Sequence, residues 1–214
     1  MSGRYEGSWS EDDEDKPKWD RDTDLEAEYD YYHPDGRYAY TLLKGRRADG
    51  DKAFLTGRRF SGSIDMLDRE QRENPDLFYR LDGISNYMKG KGEEPALLYR
   101  LPELLASMAK ATGEWVFLCE GEKDAETLNG LGFHPTTNFG GAAKWDRSFD
   151  HYFAGQRVVI LLDKDPVGAA RGRRLAGQLS KVAAQVVPLE LQGLRQKEDV
   201  TDWLAEGRTK ADLL

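Results

Sequence analysis

Cysteine is almost absent from the 214-residue chain: Cys119 is the single one. That excludes an internal disulfide and any zinc ribbon built on cysteines. The three histidines, His33, His134 and His151, share no ligand spacing, so a structural zinc site is not expected. Long apolar runs are lacking as well. No stretch approaches the roughly 18 apolar residues of a membrane span. No apolar segment follows Met1, and residues 11–15 read EDDED. The sequence therefore predicts no signal peptide, no membrane partner and a reducing, cytoplasmic location.

What the chain does have is charge. Charged residues make up 33% and hydrophobic residues 39%, with a formal net charge of −8. At about 100–200 residues per domain, the length allows one full domain and a smaller companion. The charge is uneven. Residues 1–28 carry 11 acids against four bases, so −7 of the −8 lies there. The remainder is close to neutral and leaves room for basic patches, so the low pI does not exclude nucleic acid as a partner. The composition predicts that residues 1–28 are a disordered acidic leader, with order starting near Glu28.

Residues 28–46, EYDYYHPDGRYAYTLLKGR, set β-favouring aromatics on both sides of Pro34-Asp35-Gly36, a hairpin signal. Ala48-Asp49-Gly50 then leads into KAFLTGRRF, a further strand. DMLDREQRENP reads as a short polar helix ending before Pro75, LFYRLDGI as a strand, and MKGKGEEP as a loop. Residues 29–100 thus read as a small β-rich or α+β unit. The pattern then changes. EWVFLCEG and RVVILLDKD are apolar runs without alternation, and each precedes a helical pattern, EKDAETLNGLG and PVGAARGRRLAGQLSKVAAQ. PELLASMAKATG and RSFDHYFAG read as helices, HPTT and VVPLEL as strands, and DVTDWLAEG as a last short helix. Strands buried on both faces and alternating with helices predict an α/β domain over residues 101–214, with a parallel sheet flanked by helices.

Both apolar runs end on acids at the carboxyl edge of that sheet, where ligands of such folds sit. Glu120 closes the first, and Gly121 lets the chain turn into the next helix. Asp163 and Asp165 close the second. Two apart on a continuing strand, they point to one side. Carboxylates so placed suit Mg²⁺ or Mn²⁺, which take one or two carboxylates and keep waters and substrate phosphates as other ligands. Glu120 is expected to complete the site or to act beside it as an acid/base. Asp199 and Asp202, with Glu198, follow the last strand at the same expected edge and are further metal candidates. Two alternatives stay open here: Asp165 precedes Pro166 and Asp199 precedes VTDWLAEG, so either can be a helix N-cap.

Phosphate-binding candidates lie near these acids. NFGGAAKW offers two glycines and Lys144, and Lys123 stands at a helix start, where a lysine opposes the dipole. In the N-terminal unit Arg58 and Arg59, with Arg46 and Arg47, interleave with aromatics, a combination suited to single-stranded nucleic acid or to a solvated strand face. Arg171, Arg173 and Arg174 open the helix after Asp163 and Asp165, placed to follow a nucleic-acid backbone or to balance the acids. Cys119, inside a strand, reads as core filling.

VFLCEGEKDAETL followed by RVVILLDKDPVG resembles the Toprim domain shared by DnaG-type primases, topoisomerases and some nucleases. LLYRLPELL, TTNFGGAAKW and KEDVTDWLAEG bring the resemblance nearest to Toprim segments of primase-helicase proteins of phages and mobile elements, over roughly residues 96–208. It implies a compact, Rossmann-like Toprim sheet in which Glu120, Asp163 and Asp165 bind Mg²⁺ or Mn²⁺ and Glu120 serves as general acid/base. The activity it implies is phosphoryl or nucleotidyl transfer on nucleic acid in DNA replication. Partners would be single-stranded DNA or RNA, nucleotides, and a replicative helicase or other replication protein. A Toprim nuclease would use the same acids. A non-catalytic module binding nucleic acid or a replication protein is the reading from another class. The family's primases carry a cysteine-rich zinc domain, which the single cysteine of this chain cannot build.

Overall fold

The structure is a computed structural model that describes residues 19–79, 84–110, 113–141, 144–162, 166–195 and 198–213. Period-two alternation starts before Glu28. Strand β1 runs Asp24–Tyr32 and turns Tyr29 and Tyr31 inward, while Asp24, Glu26 and Glu28 are exposed. The acidic leader therefore does not extend to residue 28. Acids on alternate positions form the outer face of a strand whose other face carries Leu25, Ala27 and the tyrosines. Those acids meet bases on the next strands. Glu26 pairs with Lys44 at 3.0 Å and with Arg46, and Glu28 and Asp30 pair with Arg59 at 2.7 and 2.6 Å.

Strands β2 (Tyr38–Arg46) and β3 (Lys52–Arg59) form a hairpin closed at Arg46 opposite Lys52, and β4 (Tyr87–Lys89) adds antiparallel to β3. The sheet order is β1-β2-β3-β4. Both expected hairpin turns are present, with Gly36 and Gly50 at φ +82° and +89°, values that glycine adopts without steric cost. Tyr31 stacks on Tyr40 at 4.9 Å, and Leu43, Tyr79, Ile84 and Tyr87 form a buried cluster. Helix α1 (Ile64–Glu73) is capped by Ser63 and, as its polar composition requires, buries no side chain. The expected strand LFYRLDGI is corrected: its described part makes a single bridge, Phe78 to Met88, and the strand is Tyr87–Lys89, which takes Met88 and Lys89 from the expected loop. Residues 80–83 lie outside the described residues.

The chain divides into two compact units, one holding the chain up to Tyr31 with Tyr38–Pro95, the other Tyr32–Arg37 with Ala96–Leu214. The sequence put this junction after residue 100. Residues 97–99 belong to the second unit because they hydrogen-bond within it: Tyr99 N–H donates to the Thr137 carbonyl at 2.7 Å, and Phe139 N–H to the Leu97 carbonyl at 3.1 Å.

In the second unit β5 (Trp115–Leu118), β6 (His134–Thr136), β7 (Arg157–Leu162) and β8 (Gln185–Glu190) form a parallel sheet in the order β6-β5-β7-β8. The central strands β5 and β7 carry the two apolar runs. Val116, Phe117, Leu118, Val158, Val159, Ile160 and Leu162 are all buried, which is why neither run alternates. Helices α2 (Leu101–Ala109) and α3 (Glu122–Gly130) pack on β6, and α4 (Pro166–Leu179) packs on β7 and β8. Helix α5 (Val200–Ala205) packs on α3. The α/β class read from the sequence is the one observed.

Candidate functional site

The carboxyl edge of the parallel sheet is built from the ends of β5, β6 and β7. Strand β5 ends at Leu118, Cys119 is still buried, and Glu120 is exposed. Burial pushes the Cys119 thiol well above its usual value, so it stays neutral and fills the core. Gly121 has φ −144° and ψ 172°, ordinary extended backbone. The turn itself does not require glycine there, and no atom lies where its Cβ would stand. The missing side chain leaves the space beside Glu120 open.

A polar strap holds the backbone at Glu120. Thr137 Oγ1 donates to the Glu120 carbonyl at 3.1 Å. Asn138, only 2% exposed, donates its amide to the Gly141 carbonyl at 2.7 Å. Thr136 Oγ1 donates to the Tyr99 carbonyl at 2.7 Å. Three consecutive buried polar residues after a strand need internal partners, and here those partners lock the loop against β5. The sequence reading passed over Thr137 and Asn138; their signal was this polar triplet next to two buried strands.

Gly140 and Gly141 lie at φ +83° and +75°. A Cβ on Gly140 would sit 2.9 Å from Lys144 Cδ, and the Gly141 N–H is committed to the Asn138 carbonyl at 3.0 Å. The double glycine is thus a turn in which the Gly141 amide is already occupied. Lys144 is exposed just beyond it. A small recess of about 20 Å³, room for one water, is lined by Glu120, Asn138, Trp145, Gly168 and Gly172 among others. Trp145 is fixed there by its indole N–H, which donates to Asp150 Oδ1 at 2.9 Å; Gln178 also donates to Asp150, at 2.8 Å.

Asp163 and Asp165 lie outside the described residues. Among the described residues no three His, Cys, Asp or Glu side chains come together as a metal cluster. Asp199 and Asp202 form a capping box at the start of α5: Asp199 Oδ1 accepts from the Thr201 and Asp202 amides at 2.9 and 3.1 Å, and Asp202 Oδ2 accepts from the Asp199 amide at 3.0 Å. The remaining Asp199 oxygen takes the Lys123 ammonium at 2.8 Å. Two candidates of different expected role, a metal ligand and a phosphate-binding lysine, are therefore partners of each other. Burial acts to raise the Asp199 carboxyl, but the Lys123 hydrogen bond and the cap amides outweigh it and hold it below its usual value. Burial likewise acts to lower Lys123, and Asp199 outweighs it, so the ammonium is raised. A second link, Thr127 to Thr201 at 2.7 Å, completes the joint between α3 and α5.

The arginine candidates separate. Arg59 was expected at a nucleic-acid surface, but its guanidinium is held between Glu28 and Asp30, within 6 Å of the Tyr38 and Tyr87 ring centres (5.7 and 5.6 Å). It is a cross-strand clamp, and its charge is already matched. Arg58, the next residue on the strand, lies against Gly92, where an added Cβ would come 2.9 Å from its guanidinium carbon. Arg171 is exposed on α4.

No family model matches the chain, and no curated protein matches it. Among solved structures it is similar to one described as the structure of the DnaG catalytic core, with a TM-score of 0.45 and 17% identity. The match covers 82% of this chain and 52% of that one, so the chain spans about half of that structure's length. No helix among the described residues is long and apolar enough to cross a membrane.

Proposed function

We propose that the carboxyl edge of the parallel sheet is a divalent-metal site for phosphoryl or nucleotidyl transfer on nucleic acid, primase-like in its chemistry. The observation that carries this reading is the adjacency of β5 and β7. They are parallel neighbours in register at Leu118 and Ile160. Two residues further along are Glu120, just past β5, and Leu162, the last residue of β7, and Asp163 follows Leu162 directly in the chain. Glu120 follows the end of β5, and Asp163 and Asp165 follow Leu162 in the chain, so the reading is that these acids meet at the ends of neighbouring strands. The donor chemistry fits the ion. Glu120 offers hard carboxylate oxygens at an exposed strand end, with open space at Gly121 for waters or a phosphate.

Glu120, Asp163 and Asp165 would hold the metal. Bound there, Mg²⁺ or Mn²⁺ would offset charge on a phosphoryl oxygen and acidify a bound water or hydroxyl. The chain's own contribution is position and proton handling. Thr137 fixes the Glu120 backbone, and the Glu120 carboxylate takes or returns a proton at the cleft edge. Asp199 and Asp202 belong to the supporting frame, joining α5 to α3, rather than to the ligand set. The partners this reading implies are single-stranded nucleic acid, nucleotides and a replication protein such as a helicase, in the setting of phage or mobile-element replication.

The test is one incubation with labelled single-stranded DNA, nucleotides and Mg²⁺ or Mn²⁺, scored for extension, cleavage and retention together. Extension supports the primase-like reading and cleavage the nuclease alternative. Glu120→Gln should lower turnover by about 10²–10⁴-fold while retention persists. Asp163→Asn with Asp165→Asn should remove metal binding in titration calorimetry. An unchanged turnover in folded Glu120→Gln would overturn the mechanism, and a wild type that binds but never turns over would make the chain an interaction module.

A further inference from the structure

Helix α4 carries three arginines and no acid over its 14 residues, in a chain whose net charge is −8. Its buried face is made of Ala169, Gly172, Leu175, Ala176 and Leu179, which seat it on β7 and β8. Gly172 sits so close to the sheet that a Cβ would fall 2.4 Å from Leu162 Cδ2. That packing fixes which face is turned outward. At 3.6 residues per turn, Val167, Arg171 and Arg174 fall on one outward stripe, and Gln178 ends it with its amide turned to Asp150. Arg171 and Arg174 are exposed and Val167 is 57% exposed. Lys181 is exposed just past the end of the helix. Arg173 lies to one side and faces Glu190 at 3.7 Å.

A solvated helix face normally interleaves acids and bases at three- and four-residue spacing, because such pairs stabilise the helix and like pairs weaken it. Here Arg171 and Arg174 are a like-charged pair three apart, with no acid on the helix to offset them. The helix gains nothing from this arrangement by itself. Between Arg174 and Arg173 the outward surface is Ala170 and Gly177, both exposed and both small, so nothing bulky stands between a long anionic partner and the guanidinium groups. The stripe also starts beside the candidate site: Gly168 and Gly172 line the recess that contains Glu120.

We infer that the outward face of α4 is a track for the phosphate backbone of a single-stranded nucleic acid, with Arg171 and Arg174 as its contact pair and Lys181 extending it. This deepens the proposed function by giving the substrate strand a path to the carboxyl edge. It does not require turnover for its test. Guanidinium groups match phosphate oxygens in a two-pronged geometry, and each neutralised phosphate of a single strand contributes about 0.7 to the slope of log affinity against log salt.

The test is fluorescence anisotropy of the full chain with a labelled oligodeoxynucleotide, in EDTA, across a salt series. Arg171→Gln with Arg174→Gln should flatten the salt slope by about 1.4 and weaken binding most at low salt. Arg171→Lys with Arg174→Lys keeps the charge and should restore most of the slope. Circular dichroism of each variant reports whether the fold is kept, and the lysine variant carries the test if the glutamine variant is unstable. An unchanged slope in a folded glutamine variant overturns the inference, as does a lysine variant as weak as the glutamine one, or a wild type that binds no oligonucleotide at low salt. A wild type that shows an α4-dependent slope but no turnover would sink the catalytic reading alone, and a wild type with normal turnover and an α4-independent slope would sink the track alone.

Discussion

Replacing Asp199 separates the two roles that its position suggests. In the structure its Oδ1 caps α5 through two amides, and its Oδ2 holds Lys123 at 2.8 Å. Asp199→Ala removes both. The lost cap costs about 1 kcal/mol. The ion pair adds less: with side-chain exposures of 24% and 43%, it falls in the range of about 0.2–1 kcal/mol for solvent-screened pairs. Asp199→Asn keeps an oxygen for the cap and loses only the charge. The expected losses are therefore about 1.5 kcal/mol for alanine and about 0.5 kcal/mol for asparagine. In a chain of this size that is a fall in Tm of about 3–6 °C and about 1–2 °C. Urea unfolding followed by circular dichroism reads the difference directly. An asparagine variant as unstable as the alanine variant would refute the assignment of the cap. The same pair of proteins tests the frame role, because Mg²⁺ should shift the Tm of wild type and Asp199→Asn equally. The pH dependence follows in sign. The Asp199 carboxyl is held below its usual 3.8, so its contribution is complete above about pH 4 and is lost as pH falls through the lowered folded-state value. Lys123 is raised above 10.5, so its share is present below that pH and lost as pH rises through the raised value. The gap between wild type and Asp199→Asn should be flat from about pH 5 to 9 and close only outside that window.

Two further substitutions probe the surroundings of the site and the first sheet. Arg100 holds φ 58° at the start of α2 while its guanidinium donates to Glu126 at 2.9 Å and Asn129 at 3.0 Å. Left-handed backbone costs a non-glycine residue about 1–2 kcal/mol, so Arg100→Gly should be more stable than Arg100→Ala by about 1 kcal/mol in chemical denaturation; the opposite order would mean that the backbone is not strained. Arg59→Gln leaves Glu28 and Asp30 facing each other and should lower stability by about 1–2 kcal/mol, while the salt slope of nucleic-acid binding stays at the wild-type value; a flattened slope would return Arg59 to the nucleic-acid surface.

The parallel sheet was legible because burial on both faces leaves a mark in one dimension. VVILL and WVFL do not alternate, and each runs straight into a helix. Glu120 was legible for the same reason, since it follows the end of its run at the edge of the sheet. Other features leave no local mark. Lys123 and Asp199 are 76 residues apart in the chain, and no spacing rule pairs them. Thr137 looked like a turn residue because its partner, the Glu120 carbonyl, lies 17 residues earlier in the chain. The start of β1 was hidden by counting. Summed over residues 1–28 the acids look like a solvated leader, whereas read two by two, Asp24, Glu26 and Glu28 alternate with Leu25, Ala27 and Tyr29 as one face of a strand.

That correction changes where free positive charge resides, and the functional reading turns on it. In the first sheet Lys44 and Arg46 meet Glu26, Arg59 meets Glu28 and Asp30, and Arg47 meets Asp20 and Asp49. Apart from Arg58, the basic pattern of that unit, which resembles a nucleic-acid surface in sequence, is therefore matched by acids, and Lys44, Arg46 and Arg59 hold β1 to the neighbouring strands. A base already matched by two acids releases little on meeting a phosphate, because its own counter-charges must first be displaced. On α4 the reverse holds: no acid shares the helix, Arg171 and Arg174 are exposed, and the small residues beside them keep the face open. Electrostatic attraction for a polyanion depends on such unmatched charge and not on the count of bases. The proposed strand track accordingly lies not where the sequence shows most arginine among aromatics but on a helix marked by its absence of acids.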